Sequence, residues 1–131
     1  MMKSLTLLLV VTCLFIASPV MADDIYVRGE EILNACDNAI KYMDKTGNAD
    51  SFQSGICWGY LAGANDMHEL MDHGEDAPHH CMPKEKNISE LARAVVNYLK
   101  ANPEKIGNPA SILVFDAYHE AFPCDNNPPP A

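Results

Sequence analysis

The reactive side chains of this 131-residue chain are five histidines, five cysteines and a surplus of carboxylates. His68, His73, His79 and His80 fall close together, with Asp66, Glu69, Asp72 and Cys81 nearby. Imidazoles with carboxylates or a thiolate could hold zinc, copper or nickel. The spacing matches no strict ligand pattern, since His68 has no second histidine one helical turn away. A disulfide would also remove Cys81 from the set. The preferred reading is solvent-exposed loop histidines, with a histidine-loop metal site as a lesser alternative.

Nucleophilic catalysis has less support. A Cys/His pair needs a free thiolate beside a base, and paired cysteines supply none. Ser54 and Ser89 lack a nucleophile elbow, and Ser111 falls inside a helical pattern. Asp23-Asp24 and Glu30-Glu31 are adjacent, so their carboxylates do not face one another on a helix. Gly55, Gly59 and Gly63 lie within a helical segment, not in a phosphate-binding turn between strand and helix. The expectation is a protein that is not an enzyme and takes no metal or cofactor.

The compartment explains the cysteines. Lys3, the apolar run Leu5 to Ile16 and the small residues ending at Ala22 read as a secretory signal peptide over residues 1–22, cleaved after Ala22. The apolar run is too short to span a bilayer, so no membrane anchoring is expected after cleavage. Cys13 leaves with the leader. Cys36, Cys57, Cys81 and Cys124 remain, an even count in a short exported chain, which reads as two disulfides. The net charge of −9 disfavours nucleic acid and anionic membrane as partners.

The elements that position these residues read as helices. Ile32, Leu33, Cys36, Ala39, Ile40 and Met43 share one face of a helix over roughly Tyr26 to Met43. Gly47 suits a left-handed turn after it. A second helix runs from about Ser51 to Met71, capped by Asp50 or Ser51. On it Gly55, Gly59 and Gly63 recur every four residues and form one stripe. Each costs about 1 kcal/mol of helix propensity, so the stripe predicts close packing against another helix within the fold, in preference to a dimer seam. A polar loop follows, then a helix capped near Ser89 with Leu91, Ala92, Val95, Val96 and Leu99 as its apolar face. A last helix opens at Asn108-Pro109 with Ile112, Leu113, Phe115, Ala117 and Tyr118. The fold class is all-α: four to five helices over residues 23–124, stapled by two disulfides, with a flexible proline-rich tail at 125–131.

Four cysteines allow more than one pairing. The helix from Cys57 to Met71 rises about 21 Å, and the nine-residue loop after it spans up to about 30 Å. Cys81 can therefore return to Cys57, leaving Cys36 for Cys124. The expected disulfides are Cys57–Cys81 and Cys36–Cys124.

Phe52, Gly55, Cys57, Gly59, Tyr60 and Gly63, followed by Asp66, form a signature that resembles the Rap/Tai immunity proteins of bacterial type VI secretion. The resemblance continues through Cys81, Pro83, Ser89, Leu91, Val95-Val96, Tyr98-Leu99, Asn102-Pro103-Glu104, Ala110 and Ala117 to Phe122-Pro123-Cys124. It implies a periplasmic, disulfide-bonded helical protein, often a homodimer. Such a protein binds and occludes a secreted peptidoglycan amidase effector and protects the producing cell. By this analogy the partner-binding element is the loop after the second helix, with His73, Gly74, Glu75, Asp76, Pro78, His79 and His80. Glu75 and Asp76 would face a Cys/His catalytic centre. The competing reading is a periplasmic stress or chaperone-like helical protein.

Overall fold

The computed structural model describes residues 25–71, 81–82 and 85–124. Among the described residues there are four α-helices: α1 Gly29–Asp44, α2 Ser51–Met71, α3 Ile88–Ala101 and α4 Ala110–Ala121, with a 3-10 turn at Pro103–Lys105 between the last two. The described residues are all-α, as the apolar periodicity predicts. The leader (residues 1–22) and the tail (125–131) lie outside the described residues.

Each helix end has a local cause. The Glu31 carboxylate accepts a hydrogen bond from the Arg28 backbone N–H at 2.7 Å, closing the first turn of α1. Lys45 (φ 54°) and Gly47 (φ 64°) take the left-handed conformation that ends α1. The Asp50 carboxylate accepts from the Phe52 and Gln53 N–H groups at 2.8 and 3.2 Å and starts α2. The cap of α3 is Asn87, not Ser89: Asn87 Oδ1 accepts from Glu90 N–H, and Glu90 Oε2 accepts from Asn87 N–H. At α4 the cap position is Pro109 itself. Asn108 instead offers its carbonyl to the Gly29 N–H at 3.0 Å.

The core lies between α1, α3 and the inner face of α2, with α4 completing it. Ile32, Ala35, Cys36 and Ala39 of α1 meet Cys57 and Leu61 of α2, Leu91, Val95 and Leu99 of α3, and Leu113, Val114 and Tyr118 of α4. Tyr42 and Trp58 stack edge to face across α1 and α2, with centroids 5.5 Å apart. Asp37 holds Lys100 of α3 at 2.7 Å, and Asp44 holds Arg93 at 2.5 Å. Lys100 and Lys41 together keep the Asp37 carboxyl below the usual carboxylate range. These pairs are partly exposed and contribute little stability.

Two larger expectations are also corrected. The disulfides are Cys36–Cys57 and Cys81–Cys124, not Cys57–Cys81 and Cys36–Cys124. The α1–α2 turn is short, so the two helices form an antiparallel hairpin. Cys36 and Cys57 stand at similar distances from that turn and meet across the hairpin. Cys81, in the connection between α2 and α3, meets Cys124 just after α4, and the Cys81 N–H also bonds the Phe122 carbonyl at 3.0 Å.

The second correction concerns the glycine stripe. Gly55, Gly59 and Gly63 do not pack against another helix of this fold: a Cβ added at any of them meets nothing within 4 Å. The buried side of α2 is Ser54, Cys57, Leu61 and His68, on the opposite face. Gly59→Ala is therefore expected to stabilise the single chain by about 1 kcal/mol through helix propensity alone. Urea unfolding at dilute protein concentration checks this; a lower midpoint would reveal a contact absent from the fold.

Candidate partner-binding surface

The loop singled out in the sequence (His73, Gly74, Glu75, Asp76, Pro78, His79 and His80) lies outside the described residues. Its anchors are described. Upstream is the last turn of α2, ending at Met71. Downstream is Cys81, fixed to Cys124 by a disulfide and to Phe122 by a backbone hydrogen bond. Lys86 then lies over the Phe122 ring at 3.3 Å. The loop thus returns to a clamped point beside the end of α4.

Between these anchors α2 and α3 bound a cleft of about 420 Å³. Asn65, Asp66 and Glu69 line it from α2; Met82 and Lys86 line it from the segment after the loop. Carboxylates and an ammonium at one mouth can pair with charged groups of a partner. Asp66, the last residue of the sequence signature, is exposed here rather than buried.

His68 does not belong with the loop histidines. It is only 5% exposed, on the buried face of α2, which corrects its reading as a solvent-exposed histidine. Among the described residues, no group of three or more His, Cys, Asp or Glu is placed to hold a metal ion. None of the described helices is long and apolar enough to cross a membrane.

Sequence reasoning missed a second surface. On the outward side of α2, Phe52 (74% exposed), Ile56, Met67 and Leu70 (69% exposed) flank the open glycines. An apolar groove of about 370 Å³ runs beside this ridge, between Tyr60, Gly63 and Met67 of α2 and Ser111 and Phe115 of α4. Tyr60 and Ser111 both line the groove, and partial burial raises the Tyr60 phenol pKa. The signal was present: a helix apolar on both sides buries more than one face.

The geometry therefore describes a disulfide-stapled helical scaffold with a polar cleft at one end of α2 and an exposed apolar ridge along its outward side. A family model described as Rap1a immunity proteins matches residues 28–124. The chain belongs to that family, and its class is that of an immunity protein directed at a secretion-system effector. No curated protein and no solved structure matches the chain.

Proposed function

We propose that this chain, exported and freed of its leader after Ala22, acts in the periplasm as the immunity partner of a secreted peptidoglycan amidase of type VI secretion. It binds the effector, fills its cleft and catalyses nothing. The observation that carries this reading is the family match over residues 28–124, which spans both anchors of the loop as well as the loop. The clamp at Cys81 supports it, because an inserted element held at its base loses less entropy on binding. Glu75 and Asp76 supply negative charge suited to the imidazolium of a Cys/His centre.

The test is protection. A periplasm-directed amidase is expressed with and without this chain, and lysis is followed. Rescue is expected for one amidase of the panel; unchanged lysis across all of them would sink the reading. At finer grain, reversing Glu75 and Asp76 to lysine should weaken amidase binding by about 3 kcal/mol, roughly a hundredfold in Kd. Calorimetric titration measures it, with the melting temperature as a control for the fold. An unaltered Kd would remove the loop carboxylates from the contact.

A further inference from the structure

The apolar groove between α2 and α4 is left unfilled by the described residues and plays no part in the loop-insertion reading. We propose that the proline run of this same chain, Pro128-Pro129-Pro130, docks in it, so that residues 125–131 form an intramolecular cover. This goes beyond the amidase reading, and its test uses no amidase, so either can fail alone.

The groove has the make-up of a proline-binding surface. Tyr60 and Phe115 supply aromatic rings, Met67 a thioether arm, and Gly63 a stretch of uncovered backbone. Extended proline segments dock in aromatic-lined grooves because their conformation is preformed and little entropy is lost. Prolines present carbonyls and no N–H. The Tyr60 phenol and the Ser111 hydroxyl, both in the groove lining, are donors suited to such carbonyls.

Reach admits this occupant. Cys124 is pinned by its disulfide to Cys81, just past the end of α4. A row of rings leads back from there to the groove: Phe122 and Tyr118 lie 6.1 Å apart between centroids, and Tyr118 and Phe115 lie 6.4 Å apart. Phe115 precedes Cys124 by nine residues and Ser111 by thirteen, about 14 and 20 Å back along the helix axis. An extended proline segment rises about 3.1 Å per residue, which allows Pro128 to Pro130 to reach about 12 to 19 Å from Cys124. Reach sets an upper limit, and the groove falls inside it.

Charge then decides between the two surfaces near Cys124. The cleft beside Met82 is polar and carries Asp66 and Glu69 against the single ammonium of Lys86. It suits neither Asp125 nor a run of prolines. The groove is lined by no charged side chain. A second copy of this chain would bring a net charge of −9 to the groove, whereas Asp125 is the one charged side chain of residues 125–131. A short tether also holds its segment at a millimolar effective concentration, so millimolar affinity is enough to keep the cover in place.

The experiment is NMR on the periplasmically expressed, disulfide-bonded full chain, without any amidase. Nuclear Overhauser contacts are expected from Pro128, Pro129 and Pro130 to the Tyr60 and Phe115 rings. P128S/P129S/P130S should abolish them and shift the Met67 methyl and Tyr60 ring resonances, leaving those of the core residues Ala39 and Val95 in place. Gly63→Gln fills the groove from a position where an added Cβ meets nothing within 4 Å. It should release the prolines, with unchanged helicity by circular dichroism. Met67 and Tyr60 resonances that ignore the serine variant overturn the cover. Proline contacts to Asp66 or Glu69 overturn it by assigning the segment to the cleft. Ring contacts that fade on dilution, together with the sedimenting mass, overturn it by giving the groove to a second copy.

Discussion

Replacing Cys36 and Cys57 together by alanine should lower the unfolding free energy by about 4 kcal/mol, a large share of the stability of a domain this size. Their sequence separation of 21 residues gives a loop-closure contribution of about 3 kcal/mol. Both sulfurs lie in the core, at 0% exposure. Truncation there adds a cavity and lost transfer energy of about 1 kcal/mol. The outer disulfide behaves differently. Cys81 and Cys124 close a longer loop, with a separation of 43, and the loop-closure term for them is about 4 kcal/mol. Both residues are exposed, so their removal leaves no buried void. Denaturant unfolding of C36A/C57A and C81A/C124A measures the two losses.

Reduction separates the pairs more sharply. Exchange needs access of a thiolate to sulfur. Mild reductant with alkylation should label Cys81 and Cys124 while the helices persist, and Cys36 and Cys57 only on unfolding. Simultaneous labelling of all four would show that the inner pair is not shielded. The functional consequence follows from position: the outer pair clamps the base of the loop proposed to bind the effector. Its loss should weaken effector binding even where the fold survives.

What the sequence made legible, and what it did not, divides by range. Helix α2 is readable to the residue, Ser51 to Met71, because Asp50 is a strong cap and the apolar pattern is unbroken. The inner face of α3 is equally readable: Leu91, Ala92, Val95, Val96 and Leu99 are all buried. Failures came where local pattern had to be turned into a three-dimensional neighbour. Loop reach allowed Cys57 to meet Cys81, but reach sets only an upper limit on distance. The short turn after Asp44 held the decisive constraint, since it folds α1 back along α2. The glycine stripe was correctly seen as one face, and nothing local distinguishes a face turned inward from one turned outward. The α3 cap shifted from Ser89 to Asn87 because Glu90 completes a reciprocal pair only with Asn87. For the candidate site, the sequence placed the loop and Asp66, while the clamp at Cys81 and the groove against α4 required the fold.

Gly29→Ala should cost about 3 kcal/mol, the opposite sign to the same change at Gly59. Gly29 is the first residue of α1, a position where alanine would ordinarily gain about 1 kcal/mol. Here the backbone is pressed against the approach to α4. The Gly29 N–H donates to the Asn108 carbonyl at 3.0 Å, the Glu30 N–H to the Ile106 carbonyl at 3.0 Å, and the Ala110 N–H to the Val27 carbonyl at 2.7 Å. A Cβ at Gly29 would stand 2.6 Å from the Ile106 carbonyl oxygen and press on Leu113 Cδ1. The Leu113 side chain can rotate, but the carbonyl belongs to backbone held by the same hydrogen bonds. Relief therefore requires the 106–110 segment to lift from α1, loosening bonds that tie the first helix to the last. Overpacking of this kind costs about 1–3 kcal/mol, and weakening of the bonds carries the estimate to the upper end, well above the propensity gain. Urea denaturation of Gly29→Ala beside Gly59→Ala makes the comparison within one chain. A Gly29→Ala midpoint at or above the wild type would mean that the segment yields freely and that α4 is not pinned there. The expected pair of opposite shifts would show that Gly29 makes an internal contact while Gly59 stands clear of the rest of the fold.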